Sequence, residues 1–400
     1  MNFLFKAYCR TYQCIIRFAL KLIKFREPET LDGLTALADK VKSEGLTSIL
    51  VVTDDVLHNK LHLLDGLEAD LKKRDINFVV YDKVLPNPDV TLVNEGYELY
   101  KANGCQGIVA VGGGSPMDCA KAIGCRVARP NKAIQQLQGY FKVMKKLPPL
   151  FAVPTTAGTG SETTVAAVIS DHANNTKCAI NDPVLIPKFA VLDPTLTVGL
   201  PKHITSTTGM DALTHAVEAY IGHTNTDNTR EKAIRCTKLV FENLEKAYFE
   251  GSDIKARRNM QYAAYYGGIA FTRAYVGNVH ALAHKLGGKY NTPHGLANAV
   301  LLPYVLDYYG KTAEEPLAEL ATAVGIKGVD NAAKARLFIA AIRKMNEVMN
   351  IPATLDGIKE EDLDFLANEA FKEANPAYPV PKIMSKEDMK EIYRKVGGLN

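Results

Sequence analysis

No Cys-x-x-Cys pair occurs anywhere in the 400 residues. The seven cysteines (9, 14, 105, 119, 125, 178 and 236) are odd in number and dispersed. That argues against a disulfide framework and against a cysteine-based zinc ribbon, and it fits a reducing, cytoplasmic setting. Each thiol reads as a small buried apolar residue. Charge of one sign is scarce too. The formal net charge is +4, and no basic patch is interleaved with aromatics, so nucleic acid is not an expected partner. No apolar run approaches the ~18 residues that a membrane span needs. Internal repeats and low-complexity stretches are missing. So is the Gly-x-Gly-x-x-Gly fingerprint of the commonest dinucleotide sites.

What is present is the composition of an ordinary soluble chain, 47% hydrophobic and 23% charged. Four hundred residues exceed what one hydrophobic core usually supports, so two domains are expected. The first 26 residues stand apart from both. Phe3, Leu4, Phe5, Ile15, Ile16, Phe18, Leu20, Leu22 and Ile23 are interrupted at roughly helical intervals by Lys6, Arg10, Arg17, Lys21 and Lys24. Basic residues break the stretch and no small-residue cleavage site follows, so a signal peptide is not expected. The pattern is that of a basic amphipathic helix. Such a helix can dock on its own protein, on a second subunit, or on an anionic membrane surface.

From about residue 30 to 200, β-branched runs alternate with amphipathic segments. Residues 48–53, 77–81, 107–111, 150–153, 166–170 and 190–193 read as strands, and 59–73, 89–103 and 116–127 as helices. This alternation predicts an α/β, doubly wound parallel sheet over residues 29–200. Ligands of such sheets bind beyond the carboxyl ends of the strands. After Leu200-Pro201 helical periodicity takes over. Helices are expected at 206–222, 228–249, 255–275, 278–287, 312–324, 330–349, 359–374 and 385–396, making residues 201–400 an all-α half. The cleft between the halves is the expected active site, and residues 1–28 form a helical extension.

Two loops follow expected strands. Gly107-Ile-Val-Ala-Val-Gly112-Gly-Gly-Ser115-Pro-Met-Asp118 joins a strand to a helix through glycines. Ser115 is the expected N-cap, with Pro116 at the first helical position and Asp118 at the third. A helix N-terminus of this kind cradles anions such as a dinucleotide pyrophosphate. Pro154-Thr-Thr-Ala-Gly-Thr-Gly-Ser-Glu162 concentrates hydroxyls suited to a ribose and an amide. Asp54, at the end of strand 48–53, could bond a ribose 2′-hydroxyl and repel a 2′-phosphate. A turn residue is the plainer reading of that aspartate.

The chemistry concentrates in two short segments. Asp211 and His215 lie four apart in a helical stretch, as do His280 and His284, and His294 follows closely. Residues at i and i+4 share a helix face. Burying so many ionisable groups is costly unless an ion or a network pairs them. These five are candidates for a divalent metal site. With no cysteine nearby, the set reads as catalytic, suited to Fe(II), Zn, Mn or Co. Phe271 and Tyr275 are candidates for an apolar wall, or for core.

The segments GGGSPMDCAKAIG (112–124), PTTAGTGSETT (154–164), INDPVLIPKFAVLDP (180–194), GMDALTHAVEAY (209–220) and HALAHKLGGKYNTPHGLANAVLLP (280–303) resemble the iron-containing (group III) alcohol dehydrogenase family. The likeness spans roughly residues 30–400. It implies an N-terminal dinucleotide domain and a helical metal domain. It implies that Asp211, His215, His280 and His294 hold the metal, Fe(II) or another divalent ion, while His284 relays protons. Gly113, Gly114 and Ser115 would meet the pyrophosphate of NAD. Thr155, Thr156, Thr159 and Ser161 would line its nicotinamide side, and Lys177 would lie near its ribose. Asp54 stands where relatives favour NAD. The implied reaction is hydride transfer between NAD(H) and a small alcohol or aldehyde in a homo-oligomer, a dimer by family expectation. Alternatives are a glycerol- or diol-type dehydrogenase of the same superfamily and a membrane-recruited non-catalytic relative. The basic N-terminal helix is the one departure from the family pattern.

Overall fold

The structure is a computed structural model. It describes residues 2–172, 174 and 176–399, without the side chain of Lys21. The chain divides into two compact units, Phe25–Val198 and Met1–Lys24 with Gly199–Asn400.

The chain opens on α1 (Phe3–Leu22), capped by the Asn2 side chain, which accepts from the Leu4 N–H. This helix is not a free-standing extension. It belongs to the unit built from residues 199 onward.

The α/β unit holds a six-stranded, wholly parallel sheet made of β1 (Glu29–Leu31), β2 (Ser48–Val52), β3 (Asn77–Tyr81), β4 (Gly107–Gly112), β6 (Leu150–Pro154) and β9 (Phe189–Val191). Their order is β1-β9-β6-β4-β2-β3. The two-residue β5 (Gly139–Tyr140) and the antiparallel pair β7 (Ala166–Asp171) and β8 (Thr176–Asn181) form a second, small sheet. Helices α2 (Gly33–Ser43), α3 (Asp65–Lys72), α4 (Val90–Ala102) and α5 (Gly114–Ala128) cover the large sheet.

Alternation along the central strands explains the double winding. Leu50, Val52, Ile108, Ala110, Leu150 and Ala152 share one core with Val93, Tyr97, Ala120 and Ile123 of α4 and α5. Ile49, Val51, Val109, Val111, Phe151 and Val153 turn the other way, onto Leu37, Val41, Leu67 and Leu71 of α2 and α3. Such strands read as continuous apolar runs because both faces are buried.

Sequence reading differs from the structure in several places here. The expected helix 59–73 is two pieces, one π-helical turn at Val56–Lys60 and then α3. Positive φ at His62 separates them, a conformation that breaks an α-helix. The short β1, β5, β8 and the helix α2 are not among the expected elements, and the strand expected at 166–170 pairs antiparallel with β8 in the small sheet.

The helical unit contains α6 (Lys202–Ile221), α7 (Asp227–Phe249), α8 (Ile254–Ala274), α9 (Asn278–Tyr290), α10 (His294–Tyr309), α11 (Glu314–Ala323), α12 (Asn331–Val348), α13 (Leu363–Ala374) and α14 (Lys386–Val396). Helix α6 is its axis: residues 209–221 are all buried, packed against α7, α8 and α10. Helix α10, absent from the sequence reading, is buried almost from end to end and carries Pro303 inside it. A helix apolar on all sides shows no 3.6-residue stripe, so periodicity cannot announce it.

Helix α1 docks on this unit through one side. Cys9 and Gln13 are buried. Gln13 Nε2 donates to the carbonyls of Pro376 and Tyr378 at 3.1 and 2.8 Å. The Arg10 guanidinium donates to Val380 and Pro381 at 2.7 and 2.9 Å. Phe5 stacks on Phe371 with centroids 5.4 Å apart. Residues 376–381 lie outside regular structure, so their carbonyls need partners from elsewhere, and α1 brings those donors.

Candidate metal centre and cofactor loops

Three helices of the helical unit deliver the centre. One turn of α6 places Asp211 beneath His215. Helix α9 carries His280 and His284, and His294 is the first residue of α10. The Nε2 atoms of His294, His280 and His215 lie 3.4, 3.7 and 3.9 Å from the Oδ1 atom of Asp211. One donor atom from each of the four residues falls within a set no wider than 4.8 Å. Asp211, His215 and His280 are buried, whereas the His294 side chain is 40% exposed.

These distances fit a common centre. Four donors arranged tetrahedrally at bond lengths of roughly 2.0–2.2 Å sit about 3.4 Å apart. Three imidazoles and one carboxylate, with no thiolate, are the donor set of an open catalytic site rather than a closed structural one. Burial opposes ionisation of Asp211, but the imidazoles of His215, His294 and His280 outweigh it and hold the carboxyl well below its ordinary range. Burial likewise disfavours a charged His280, yet Asp211 and Glu218 push its pKa up to about 9.

Two partners of the cluster escaped the sequence reading. Glu218, buried, accepts from the Nδ1 atom of His280 at 2.6 Å and from the N–H groups of Gly277 and Val279 at 2.8 and 2.7 Å. A carboxylate on Nδ1 leaves the Nε2 lone pair facing the cluster. Asn298, also buried, places Nδ2 2.7 Å from Asp211 Oδ1 and 3.1 Å from the Nε2 atoms of His280 and His294. The signal was present in the spacing. Asp211, His215 and Glu218 follow i, i+4, i+7, and Asn298 is i+4 from His294. Asparagine carries no titratable group to mark it, and glutamate at a helix face is usually solvated.

His284 lies beside the four, with its ring stacked on His294 at 5.3 Å. It is 41% exposed, and its Nδ1 meets Glu373 Oε1 at 2.6 Å. Glu373 is shared with Lys285 at 2.6 Å and with the Tyr378 hydroxyl at 2.9 Å. Burial raises the Glu373 carboxyl, but His284 and Lys285 prevail and bring it down to about 2. Phe271 stacks on His215 at 4.1 Å, on the ring that also faces His280 at 4.6 Å. It is a wall of the centre. Tyr275 ends α8 in a positive-φ conformation.

The α/β unit gathers the cofactor candidates at one sheet edge. Strands β2, β4 and β6 are neighbours and parallel, so the chain leaves all three at the same edge. Asp54 follows β2, Gly113–Ser115 follow β4 and Thr155–Ser161 follow β6. The Thr155 N–H donates to the Gly112 carbonyl at 3.1 Å. An ideal Cβ on Gly113 would stand 3.6 Å from Thr156 Oγ1, and one on Gly114 3.5 Å from Thr159 Cγ2. The two loops thus touch with no side chain between them.

The helix start differs from the expected one. Gly113 is the N-cap and Ser115 lies inside the first turn. Asp118 is no cap: it accepts from Ser161 Oγ at 3.0 Å and from the Val168 N–H at 3.1 Å. Gly112, at φ +148°, permits the early start, since a Cβ there would meet Pro116 at 2.5 Å. With no capping side chain, the first-turn N–H groups stay open to an anion. Asp54 Oδ1 accepts from the Leu57 N–H at 3.0 Å, the turn role, with a second carboxylate oxygen to spare. Lys177, on β8, donates to Asn87 Oδ1 at 3.3 Å.

Lys121 was not anticipated at all. Fully buried, it donates to Ser161 Oγ, Thr164 Oγ1 and the Ala166 carbonyl at 3.0, 2.7 and 3.0 Å. Burial pulls its pKa down to about 8, against the pull of Asp118. Lys121 and Asp118 together tie the start of α5 to the second loop.

Residues 30–194 match the model of the iron-containing alcohol dehydrogenases, and residues 205–397 match the C-terminal model of the same family. The NAD-dependent methanol dehydrogenase of Bacillus methanolicus is 37% identical over 92% of this chain and 98% of its own. The 1,3-propanediol dehydrogenase of Citrobacter freundii is 38% identical over 91% and 95%. Among solved structures, an alcohol dehydrogenase from Oenococcus oeni shares 36% identity with a TM-score of 0.89, covering 93% of this chain and 99% of its own. A 1,3-propanediol oxidoreductase shares 35% identity with a TM-score of 0.88, over 94% and 100%. The α/β sheet followed by an all-helical region is the fold of those neighbours, and the chain belongs to the iron-containing alcohol dehydrogenase family.

Proposed function

We propose that this chain is an alcohol dehydrogenase that transfers a hydride between NAD(H) and a small primary alcohol or aldehyde. The observation that carries the proposal is the convergence of three imidazole Nε2 atoms on one buried carboxylate oxygen. Asp211, His215, His280 and His294 would hold a divalent ion, Fe(II) or Zn. Such an ion supplies Lewis acidity that lowers the hydroxyl pKa of an alcohol.

The remaining work falls to side chains and backbone. Phe271 backs the His215 ring and excludes water from that side of the centre. His284, held at Nδ1 by Glu373, keeps Nε2 free to carry a proton between the substrate oxygen and solvent. In the α/β unit, the open N–H groups of Gly113, Gly114 and Ser115 suit a pyrophosphate. Thr155, Thr156, Thr159 and Ser161 suit the nicotinamide side, with Lys177 nearer the ribose. Asp54 would bond a ribose 2′-hydroxyl and disfavour a 2′-phosphate, which selects NAD over NADP.

The test pairs metal analysis with NADH oxidation on a panel of C2–C6 aldehydes and hydroxyaldehydes. Turnover should require a bound divalent ion and should be stronger with NADH than with NADPH. The relatives named for propanediol make the hydroxyaldehydes the informative arm. His280→Ala should abolish turnover with the fold intact by circular dichroism. Full turnover by that variant without metal would refute the assignment.

A further inference from the structure

Helix α1 has a docked side and an outward side, and the docking leaves the outward one unexplained. Phe3, Leu4, Tyr8, Ile15, Phe18 and Leu22 are between 55% and 80% exposed. Leu4, Tyr8, Ile15, Phe18 and Leu22 recur at spacings of four, seven, three and four, which aligns them along one stripe of the helix. Exposed apolar side chains are normal when scattered, and elsewhere in the chain they occur singly or, at Tyr140, Phe141 and Met144, in one short loop. A continuous stripe of aromatic and branched residues along a 20-residue helix is not. Helix α1 has no need of this stripe for its own docking, which uses Phe5, Cys9, Arg10 and Gln13.

Charge identifies the partner. No Asp or Glu precedes Glu27, while Lys6, Arg10, Arg17, Lys21, Lys24 and Arg26 fall in that acid-free segment. These six exceed the net charge of +4 of the whole chain, so the remainder carries more acids than bases. Lys6, Arg17 and Lys24 are exposed. Two copies meeting stripe to stripe would bring two acid-free, strongly cationic helices together, which like-charge repulsion opposes. Among the described residues, no helix is long and apolar enough to cross a membrane. With 3.6 residues per turn, Lys6 and Arg17 fall on the flank of the helix away from the stripe, within a helix diameter of ~10 Å. The acid-free helix thus carries a net positive field beside its apolar stripe, which suits a negatively charged lipid surface with the helix lying in the plane of the headgroups.

We propose that the outward face of α1 docks this protein onto anionic membranes while the opposite face stays fixed to the helical unit. The rings of Phe3 and Phe18 and the side chains of Leu4, Ile15 and Leu22 enter the headgroup boundary. Lys6 and Arg17 on the helix flank, and Lys24 just beyond its end, attract the lipid phosphates and carboxylates through their field.

The experiment is co-sedimentation of the full chain with phosphatidylcholine vesicles, with and without about one-third phosphatidylserine. The protein should pellet with the anionic vesicles and not with the neutral ones, and about 0.5 M salt should release most of it. Ile15→Ser with Phe18→Ser should lower partitioning at least tenfold, as should Lys6→Glu with Arg17→Glu. All these positions are solvent-facing, so NADH turnover should stay unchanged, which confirms the fold. The proposal is overturned if the wild-type chain pellets no better with anionic than with neutral vesicles, or if the serine variant pellets like wild type. It is equally overturned if the serine variant loses mass by light scattering, because a second copy would then cover the stripe.

Discussion

Glu218 Oε2 and His280 Nδ1 lie 2.6 Å apart, both buried, so the imidazole that faces the metal cluster is fixed from behind. Removing such a partner typically costs 10–100-fold in metal affinity. Glu218→Ala should show a loss of about that size in a chelator competition. It also strips acceptors from the Gly277 and Val279 N–H groups, at about 1–3 kcal/mol for each buried donor left unpaired. Glu218→Gln keeps an acceptor oxygen and should fall between Ala and wild type. Equal affinity in all three proteins would show that the contact is structural only.

Gly295 admits the backbone of α6 next to His294. A Cβ there would stand 2.5 Å from the Thr207 carbonyl oxygen, closer than real contacts and against backbone that cannot swing away. Gly295→Ala should displace the start of α10 and with it His294. A misplacement of about 1 Å can cost on the order of 100-fold in rate. Turnover should drop by that order and the bound-metal stoichiometry should fall, while helix content measured by circular dichroism is kept.

Lys121 separates cofactor from metal. Lys121→Met removes the buried donor shared by Ser161, Thr164 and Ala166, so stability should drop by about 1–3 kcal/mol in urea unfolding. It also unties the second loop from α5, so NADH binding measured by fluorescence titration should weaken several-fold. The metal candidates lie in the other unit, and metal content should not change. Loss of metal together with NADH would contradict this division of labour.

Glu373 predicts a pH effect. Its folded-state pKa of about 2 lies below the ordinary value near 4.3. The stabilisation is therefore complete above about 4.3 and is lost as pH falls from there towards 2, about 3 kcal/mol in all. Glu373→Gln should flatten the acid limb of the unfolding curve. It should also lower kcat about tenfold with metal content unchanged, since His284 loses the group that orients it. A parallel acid limb in the variant would assign the pH response elsewhere.

Much of this was readable without coordinates, and the exceptions share a cause. Periodicity finds elements that are half buried, such as α4 and α7. It misses α10, because HGLANAVLLPYVLDYY is apolar on nearly every side and buried through its middle, and it misses β1, three residues long at a sheet edge. The i, i+4 pairs on α6 and α9 pointed to the metal cluster because helix geometry alone brings them together. Glu373 and Lys121 could not be found that way. Glu373 meets His284 across 89 positions, and Lys121 meets Ser161 across 40. Contacts of that range are set by the packing of whole helices and loops. Ser115 looked like a cap because hydroxyls usually cap. The positive φ at Gly112 moved the helix start to Gly113 instead.

The four donors of the metal centre come from α6, α9 and α10, helices held to one another here by apolar packing and by the hydrogen bonds of Glu218 and Asn298. An ion held there would be a staple as well as a reagent. Each tenfold rise in free metal beyond its dissociation constant would add about 1.4 kcal/mol to the stability of the native state. Scarcity of the metal would then do more than silence the enzyme. It would loosen the helical unit at its axis and shorten the lifetime of the protein, so that the amount of enzyme, as well as its activity, follows the supply of the ion.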